Sequence, residues 1–240
     1  MHILIVLLML LAPSSVWAAG TCDYDTSSCS GSTPWTADSA SYNDVNYCIN
    51  TCAGPGDTIN VPAGDVTWTD YVNITTGVII IGAGIDVTTI AAPGVYAFFR
   101  YEPSNEAANL PYRVSGFTFD MTGMSSYGLL VRGTTVKSWN SRIDHNKFTN
   151  HSAGRCINWR GSAYGVADHN TFISTGGKIF DAYGKQLSSW AAFWDDRDFG
   201  TKDNCFFEDN TVTHPGAATS DGQGGRYVLR FNDYTATSNY

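Results

Sequence analysis

Two arginines stand at matching places in a short repeat and could bind an acidic ligand. Arg132 precedes the closing glycine of GLLVRG, and Arg160 precedes the closing glycine of CINWRG, 28 residues further along the chain. A planar guanidinium can clamp a carboxylate or a sulfate through two hydrogen bonds. The repeat predicts that both side chains point the same way, either toward such a ligand or, in a structural role, toward an Asp or a loop carbonyl.

An acidic cluster follows these arginines in the chain. Asp195, Asp196 and Asp198 surround Arg197, and the first two of them end the segment AAFWDD over 191–196, a weaker third copy of the arginine repeat. Three carboxylates can hold Ca²⁺ through oxygen ligands, or they can supply an acid and a base. A solvated loop explains the cluster equally well. The repeat predicts that Asp195 and Asp196 lie near the coil that follows Arg160.

Aromatic residues are abundant around the same segments. Aromatic side chains make up 13% of the sequence, so part of them must fill the core and others are left for the surface. Trp159, Trp194 and Tyr127 are candidate platforms on which sugar rings could stack, with Arg197 as a further ligand contact.

Two histidines raise the possibility of acid–base chemistry. His145 and His169 occupy the same place in neighbouring repeats, directly after Asp144 and Asp168. An Asp–His pair can transfer protons near neutral pH. Because both pairs belong to the repeat itself, we favour a stacked structural ladder.

The repeat that carries these histidines organises the chain. Its copies are IDHNKF, ADHNTF, FEDNTV and LRFNDY, and their asparagines are 24, 40 and 22 residues apart. A unit of about two dozen residues that tolerates insertions is typical of a solenoid. The asparagines are predicted to take the left-handed turn conformation and to bond to the same residue one coil away. They are Asn146, Asn170, Asn210 and Asn232, and the parallel apolar column is Phe119, Phe148, Phe172, Val212 and Tyr234.

The segment before these coils carries a different pattern. Val45, Cys48, Ile49 and Cys52 have helical spacing within 41–53, which predicts one short amphipathic helix, capped by Asn or Asp, over the open end of the solenoid. GDTINVPAG, VIIIGAG and TTI then predict the first two coils. The cysteines at 22, 29, 48 and 52 could form disulfides of undetermined connectivity, and Cys156 and Cys205 could be buried thiols or a bridge.

The chain resembles the pectate-lyase-like superfamily over roughly 44–240. The resemblance rests on the predicted helix, followed by GDTINVPAG, IIIGAGIDVTTI, GFTFD and the DHNxF coils. The resemblance implies an all-β fold, a right-handed parallel β-helix with an N-terminal capping helix. It also implies a carbohydrate-active protein, although the superfamily includes lyases, hydrolases, esterases, tailspikes and adhesins. Pectate lyases use acidic calcium ligands and an arginine that abstracts the proton α to a uronate carboxylate. The resemblance implies this role for Arg160 or Arg132, with Ca²⁺ on Asp195, Asp196 and Asp198.

Composition and chain ends complete the prediction. Residues 1–19 are typical of a signal peptide, 20–55 of a cap segment and 56–240 of the β-helix, and the last coil predicts a chain that continues past Tyr240. No membrane span is expected, and a net charge of −8 disfavours nucleic acid. We expect a secreted protein that binds an extracellular acidic polysaccharide; whether it also cleaves the polymer is left open, with β-elimination as the first candidate reaction and hydrolysis as the second. The alternative is a non-catalytic adhesin or glycan-binding protein.

Overall fold

The protein is an all-β structure with parallel sheets. The computed structural model describes residues 19–183, 204–214, 219–221, 227–230 and 233–236, with side chains over 19–182 and 204–213. Helix α1 covers Tyr42–Tyr47 and continues as a π-helical turn over Cys48–Cys52, and a 3₁₀ turn covers Glu106–Ala108. No helix within these ranges is long and apolar enough to cross a membrane.

The described strands are short, apart from two long ones. They are β1 (Ala19–Asp23), β2 (Ser28–Ser30), β3 (Ser32–Ala37), β4 (Thr58–Val61), β5 (Gly64–Thr67), β6 (Val72–Ile74), β7 (Ile79–Gly82), β8 (Thr88–Ala91), β9 (Phe99–Tyr101), β10 (Tyr112–Ser115), β11 (Thr118–Asp120), β12 (Tyr127–Asp144), β13 (Lys147–His151), β14 (Arg155–Asp168), β15 (Thr171–Ser174), β16 (Lys178–Tyr183), β17 (Cys205–Glu208), β18 (Thr211–His214), β19 (Thr219–Asp221), β20 (Tyr227–Arg230) and β21 (Asp233–Ala236).

These strands pair in parallel as three ladders. Ladder 1 contains β1, β3, β4, β7, β10, the second halves of β12 and β14, β17 and β20. Ladder 2 contains β5, β8, β11, β13, β15, β18 and β21. Ladder 3 contains β6, β9, the first halves of β12 and β14, β16 and β19. From β4 onward the chain visits ladders 1, 2 and 3 in turn, and we call each such passage a circuit.

The apolar column predicted from the repeat lies in ladder 2. Phe119, Phe148, Phe172, Val212 and Tyr234 are in register on successive strands. The three phenylalanines are fully buried, and the ring centroid of Phe148 is 5.2 Å from that of Phe119 and 5.0 Å from that of Phe172. Because each circuit places the same residue type at the same point, the rings fill the interior as one continuous column.

The predicted asparagine ladder is also present among the described residues. Asn146, Asn170 and Asn210 are buried, and each amide bonds to its neighbour one circuit away. The Nδ2 to Oδ1 distance is 3.1 Å from Asn146 to Asn170 and 3.0 Å from Asn170 to Asn210. Asn232 lies outside the described residues.

The left-handed turn residue is not the asparagine, and this part of the prediction was wrong. His145, His169 and Asp209 have φ values of 52°, 54° and 54°. Each of them directly precedes a ladder asparagine. The turn therefore bends the chain one residue earlier, and the side chain that follows it can bond along the ladder in the interior.

After β14, ladder 3 continues with the segment KIFDAY of β16. β16 pairs with the first half of β14, which puts Tyr183 in register with Arg160. On its other side β16 pairs with β19. The segment AAFWDD over 191–196, predicted as a weaker third copy of the arginine repeat, lies outside the described residues.

The N-terminal segment contains more structure than one capping helix. Helix α1 is capped by Ser41, whose Oγ accepts from the backbone N of Asp44 at 3.2 Å, and not by the predicted Asn or Asp. β1 and β3 extend ladder 1 beyond its first circuit, and β2 closes its edge in the antiparallel sense. These strands escaped prediction because the polar sequence over 19–37 lacks the apolar alternation of a typical strand.

Two disulfides tie these strands to the π-helical turn. Cys22 of β1 bonds to Cys48, and Cys29 of β2 bonds to Cys52. The connectivity that the sequence left open is thus set by two adjacent strands facing one helical segment. Cys156 and Cys205 are free, buried thiols, and burial raises the pKa of both.

Candidate ligand-binding face

The structure brings the two predicted arginines together on ladder 3. Arg132 and Arg160 are in register on β12 and β14. They follow the buried residues Val131 and Trp159. Because successive side chains of a strand point to opposite faces, both side chains point to the outer side of the ladder, where the Arg132 side chain is 26% exposed and Arg160 is 9% exposed. The predicted equivalence of the two arginines is confirmed.

Further residues join them to form a surface that we call the Arg–Tyr face. Its members are Tyr71, Tyr96, Arg100, Glu102, Tyr127, Arg132 and Arg160. Arg100 lies on β9 opposite Leu130 of β12, and Glu102 follows that strand directly. With Tyr71 directly before β6 and Arg160 on β14, the face spans four successive circuits of ladder 3.

Tyr127 orients the arginines of the next circuit. Its hydroxyl accepts a hydrogen bond from Nη1 of Arg160 at 3.2 Å. The guanidinium carbons of Arg155 and Arg160 each lie 5.6 Å from the centre of its ring. Such cation–π contacts fix both arginines over the ring. Tyr127 thus contributes to the site as a positioning residue, and its ring is already engaged by cations.

Glu102 is the carboxylate at the centre of the face. Its Oε2 lies 2.6 Å from Nη2 of Arg100 and 3.0 Å from Nη1 of Arg132, and its Oε1 accepts from the hydroxyl of Thr134. Burial alone would raise the pKa of Glu102. The hydrogen bonds from Thr134 and Arg100 and the charge of Arg132 outweigh burial and hold this pKa below its ordinary value.

A row of tyrosines borders the arginines. The ring centroids of Tyr71 and Tyr96 are 5.9 Å apart, and those of Tyr96 and Tyr127 are 5.1 Å apart. Tyr96 is 38% exposed. Burial, followed by the neighbouring Tyr127, raises its pKa. Tyr71 and Tyr127 are partly buried, so Tyr96 is the member of the row that offers most apolar surface and a hydroxyl donor to a sugar ring.

Four members of the face were not predicted from the sequence: Tyr71, Tyr96, Arg100 and Glu102. The signal was available in FRYE, where Arg100 and Glu102 flank a buried tyrosine as Leu130 and Arg132 flank Val131 one circuit later. FRYE lacks the flanking glycines of GLLVRG, and the two segments share only the spacing of their buried residues.

The face is positive in an acidic protein. From β9 to β16, the described charged side chains of ladder 3 and the adjoining Glu102 comprise five cations and two carboxylates, whereas the whole chain has a net charge of −8. A local excess of one sign attracts ligands of the opposite sign and raises their association rate. The charged residues are Arg100, Arg132, Arg155, Arg160 and Lys178, with Glu102 and Asp181.

Trp159 does not present its ring to a ligand. It is 1% exposed and packs edge-on against Phe180, with ring centroids 5.1 Å apart. Strand alternation is the physical reason, because the neighbouring Arg160 points outward and Trp159 must then point inward. The sugar-stacking prediction for Trp159 is thereby corrected.

The other predicted site residues lie outside the described residues. They are Trp194, Asp195, Asp196, Arg197 and Asp198. Within the described part of the chain, no three His, Cys, Asp or Glu residues are grouped so that they could hold a metal ion. The Ca²⁺ site therefore stays a prediction.

The predicted histidine ladder is present on ladder 1. The rings of His145 and His169 are nearly parallel, with an interplanar angle of 4° and centroids 5.1 Å apart. Each Nδ1 lies 2.8 Å from the preceding carboxylate, that of Asp144 or Asp168. The arginines Arg113 and Arg142 bind the same two carboxylates. The predicted stacking of the two histidines is confirmed, and their structural role stays a prediction.

Asp144 links this cluster to the acid stability of the protein. Its side chain is fully buried; burial would raise its pKa, but the hydrogen bonds from Arg113 and His145 lower it below the ordinary value. A carboxylate with a depressed folded-state pKa adds stability above its unfolded pKa, and this stability disappears as the pH falls through the folded pKa.

We therefore expect Asp144→Asn to have a free energy of unfolding about 1–2 kcal/mol lower than that of the wild type near neutral pH, and a smaller difference below about pH 3. The loss near neutral pH is modest because the partner Arg113 is partly exposed. Urea unfolding of the wild type and the variant between these pH values measures the difference. A constant difference across the range would contradict the assignment.

A pocket of about 250 Å³ lies at the edge of the Arg–Tyr face. Its lining includes Asn73, Thr75, Arg100, Glu102 and Thr135. The side chains that surround it are hydroxyls, an amide, a guanidinium and a carboxylate, so the pocket offers hydrogen bonds to a polar ligand group.

Comparison of the chain with protein-family models, curated proteins and solved structures finds no match. The resemblance to the pectate-lyase-like superfamily stays a prediction based on the sequence motifs.

Proposed function

We propose that this chain is a secreted right-handed parallel β-helix protein that binds an acidic extracellular polysaccharide along the Arg–Tyr face. Parallel strands joined by a crossover connection are right-handed in about 98% of cases, which supports the handedness. The two disulfides support an oxidising compartment outside the cytosol.

One observation carries the binding proposal. Arg132 and Arg160 are in register beside the tyrosine row, within a positive surface of a chain whose net charge is −8. Strands of one sheet are about 4.8 Å apart, so guanidiniums on successive strands can meet successive groups of an extended polymer. Arginine supplies paired donors for carboxylates, and tyrosine supplies apolar surface for the sugar rings.

The contacts of Arg132 favour binding over catalysis by this residue. The guanidinium of Arg132 is paired with a carboxylate, that of Glu102, at 3.0 Å. The carboxylate of a uronate can be bound through the same kind of contact. Arg132 is accordingly assigned to ligand binding.

Cleavage by β-elimination is the second candidate function. Here Ca²⁺ on Asp195 and Asp196 would neutralise a uronate, and Arg160 would act as base or as a donor to the developing oxyanion. Incubation of polygalacturonate with and without Ca²⁺ tests this reaction, because elimination creates an unsaturated product that absorbs in the ultraviolet. Absorbance that persists in Asp195→Ala, Asp196→Ala protein would reject the assigned cation site. Binding without turnover and without sensitivity to chelator favours the adhesin-like alternative.

The binding proposal predicts a loss that is confined to one face. We expect the double variant Arg132→Gln, Arg160→Gln to bind polygalacturonate at least about tenfold more weakly, since each charge-assisted hydrogen bond is worth about 1.5–3 kcal/mol. Titration calorimetry at fixed salt measures the change. The matched control is Arg142→Gln, Lys147→Gln, which removes the same charge from ladders 1 and 2. An equal loss in the control would mean that net charge, and not the Arg–Tyr face, governs binding.

A further inference from the structure

We propose that Glu102 is an internal competitor for the Arg–Tyr face, occupying the guanidiniums that would otherwise bind a carboxylate of the ligand and so limiting the affinity of the face for anions. This inference rests on the proposed function, because it assumes that the face binds anionic polysaccharide. Glu102 would then tune the affinity of the face for the polysaccharide, and its competition with the ligand would make binding reversible.

The contacts of Glu102 imitate those of a bound ligand. One oxygen, Oε2, accepts from Arg100 at 2.6 Å and from Arg132 at 3.0 Å, across two neighbouring circuits. A uronate carboxylate that approached from solvent would seek the same two donors. Glu102 and an incoming anion therefore compete for one pair of guanidiniums.

The position of Glu102 places it in the row of ligand-binding residues. Tyr101 pairs with Val131, so Glu102 falls one circuit before Arg132, which in turn pairs with Arg160. Along this row the charges run negative, positive, positive. An anionic polymer lying along the row would be repelled by the charge of Glu102 directly beside the attracting charges of Arg132 and Arg160.

The surroundings leave room for the competing anion. The side chains of Glu102, Arg100 and Arg132 are 15%, 25% and 26% exposed, so the cluster lies at the surface. The pocket of about 250 Å³ opens beside Arg100 and Glu102. Glu102 contacts Nη2 of Arg100 and Nη1 of Arg132, whereas the buried Nε atoms of both arginines have no hydrogen-bond partner in the described part of the structure. Glu102 therefore satisfies only some of the donors of the two guanidiniums.

A purely structural role for Glu102 predicts the opposite effect of its removal. If Glu102 only orients Arg100 and Arg132, its neutralisation disorders both arginines and weakens ligand binding. If Glu102 competes, its neutralisation frees both arginines and strengthens binding. The sign of the change in affinity separates the two roles.

The test compares Glu102→Gln with wild type, using polygalacturonate as the anionic probe and dextran as the neutral probe. We expect Glu102→Gln to bind polygalacturonate roughly five- to tenfold more tightly, with a steeper loss of affinity as salt rises, and to leave dextran binding unchanged. Asp65→Asn is the matched control, because Asp65 is exposed on ladder 2 and its replacement changes the net charge equally. Unchanged or weaker binding by Glu102→Gln, or an equal gain in Asp65→Asn, overturns the inference.

A second variant keeps the inference testable if Glu102→Gln does not fold. Glu102→Asp keeps the charge but withdraws the carboxylate by one methylene from Arg100 and Arg132, and we expect about a twofold gain in affinity. Wild type that binds polygalacturonate, with no gain in either variant, overturns the Glu102 inference alone. If neither wild type nor the Glu102 variants bind, the proposed function fails with it. Binding by Glu102→Gln alone supports the competitor and shows that wild type suppresses binding.

Discussion

Replacing Asn170 by alanine is expected to lower the free energy of unfolding by about 4 kcal/mol, because each buried polar group left without a partner costs about 1–3 kcal/mol. Oδ1 of Asn170 accepts from the backbone N and from Nδ2 of Asn146, at 3.0 and 3.1 Å. Its Nδ2 donates to the backbone oxygen of Ile143 at 2.8 Å. Nδ2 also donates to the backbone oxygen of Asp168 and to Oδ1 of Asn210, both at 3.0 Å. Alanine removes all five bonds in a fully buried position.

Equilibrium urea unfolding measures this loss, with circular dichroism as the signal. Asn50→Ala is the control, because Asn50 is exposed and bonds through its side chain to the partly exposed Asn46. We expect the control to change stability by less than about 0.5 kcal/mol. A loss below about 1 kcal/mol for Asn170→Ala would show that the asparagine ladder contributes little beyond the backbone pairing.

Phe148→Ala is expected to lower the free energy of unfolding by about 4 kcal/mol, in the range of buried phenylalanine deletions. Phe148 is fully buried between Phe119 and Phe172, so its removal takes away ring contacts on both sides. Circuits on either side of the cavity then lose their common packing, and their unfolding should become less cooperative because each repeat is stabilised by its neighbours.

Thermal and urea unfolding of Phe148→Ala, compared with Phe148→Leu, test this expectation. Leucine keeps most of the buried volume, and we expect it to cost less than about 1.5 kcal/mol. Ile173→Ala is the surface control, since Ile173 is 44% exposed on the adjacent circuit. Similar losses for alanine and leucine at position 148 would contradict the packing role of the column.

The interior of the protein could be predicted from the sequence because the repeat constrains it. Every circuit passes the same interior point, so an asparagine bonds best to an asparagine and a phenylalanine packs on a phenylalanine. Gly133 shows the same constraint at the backbone, because a Cβ there would overlap the carbonyl of Ser162 on the next circuit. Positions under such constraints repeat visibly in the sequence.

The outer side of the ladders escapes this constraint. Outer side chains face solvent or one another, so Glu102, Arg132 and Arg160 can follow one another in a single row without resembling each other. The repeat therefore predicted the register of the two arginines and missed the carboxylate between Arg100 and Arg132. Tyr127 was predicted as a ligand platform, but its partners Arg155 and Arg160 come from the next circuit and cannot be inferred from local sequence.

The antiparallel strand β2 has a consequence for self-association. A parallel ladder that ended at β1 would offer a free edge, on which another chain could add its own strand. β2 covers that edge in the opposite sense, and the bond between Cys29 and Cys52 holds it there. Reduction of this bond would release β2 and expose the edge of β1, to which a strand of another chain could then pair. Oligomers that form only in the presence of a reductant are the signature of this change in solution.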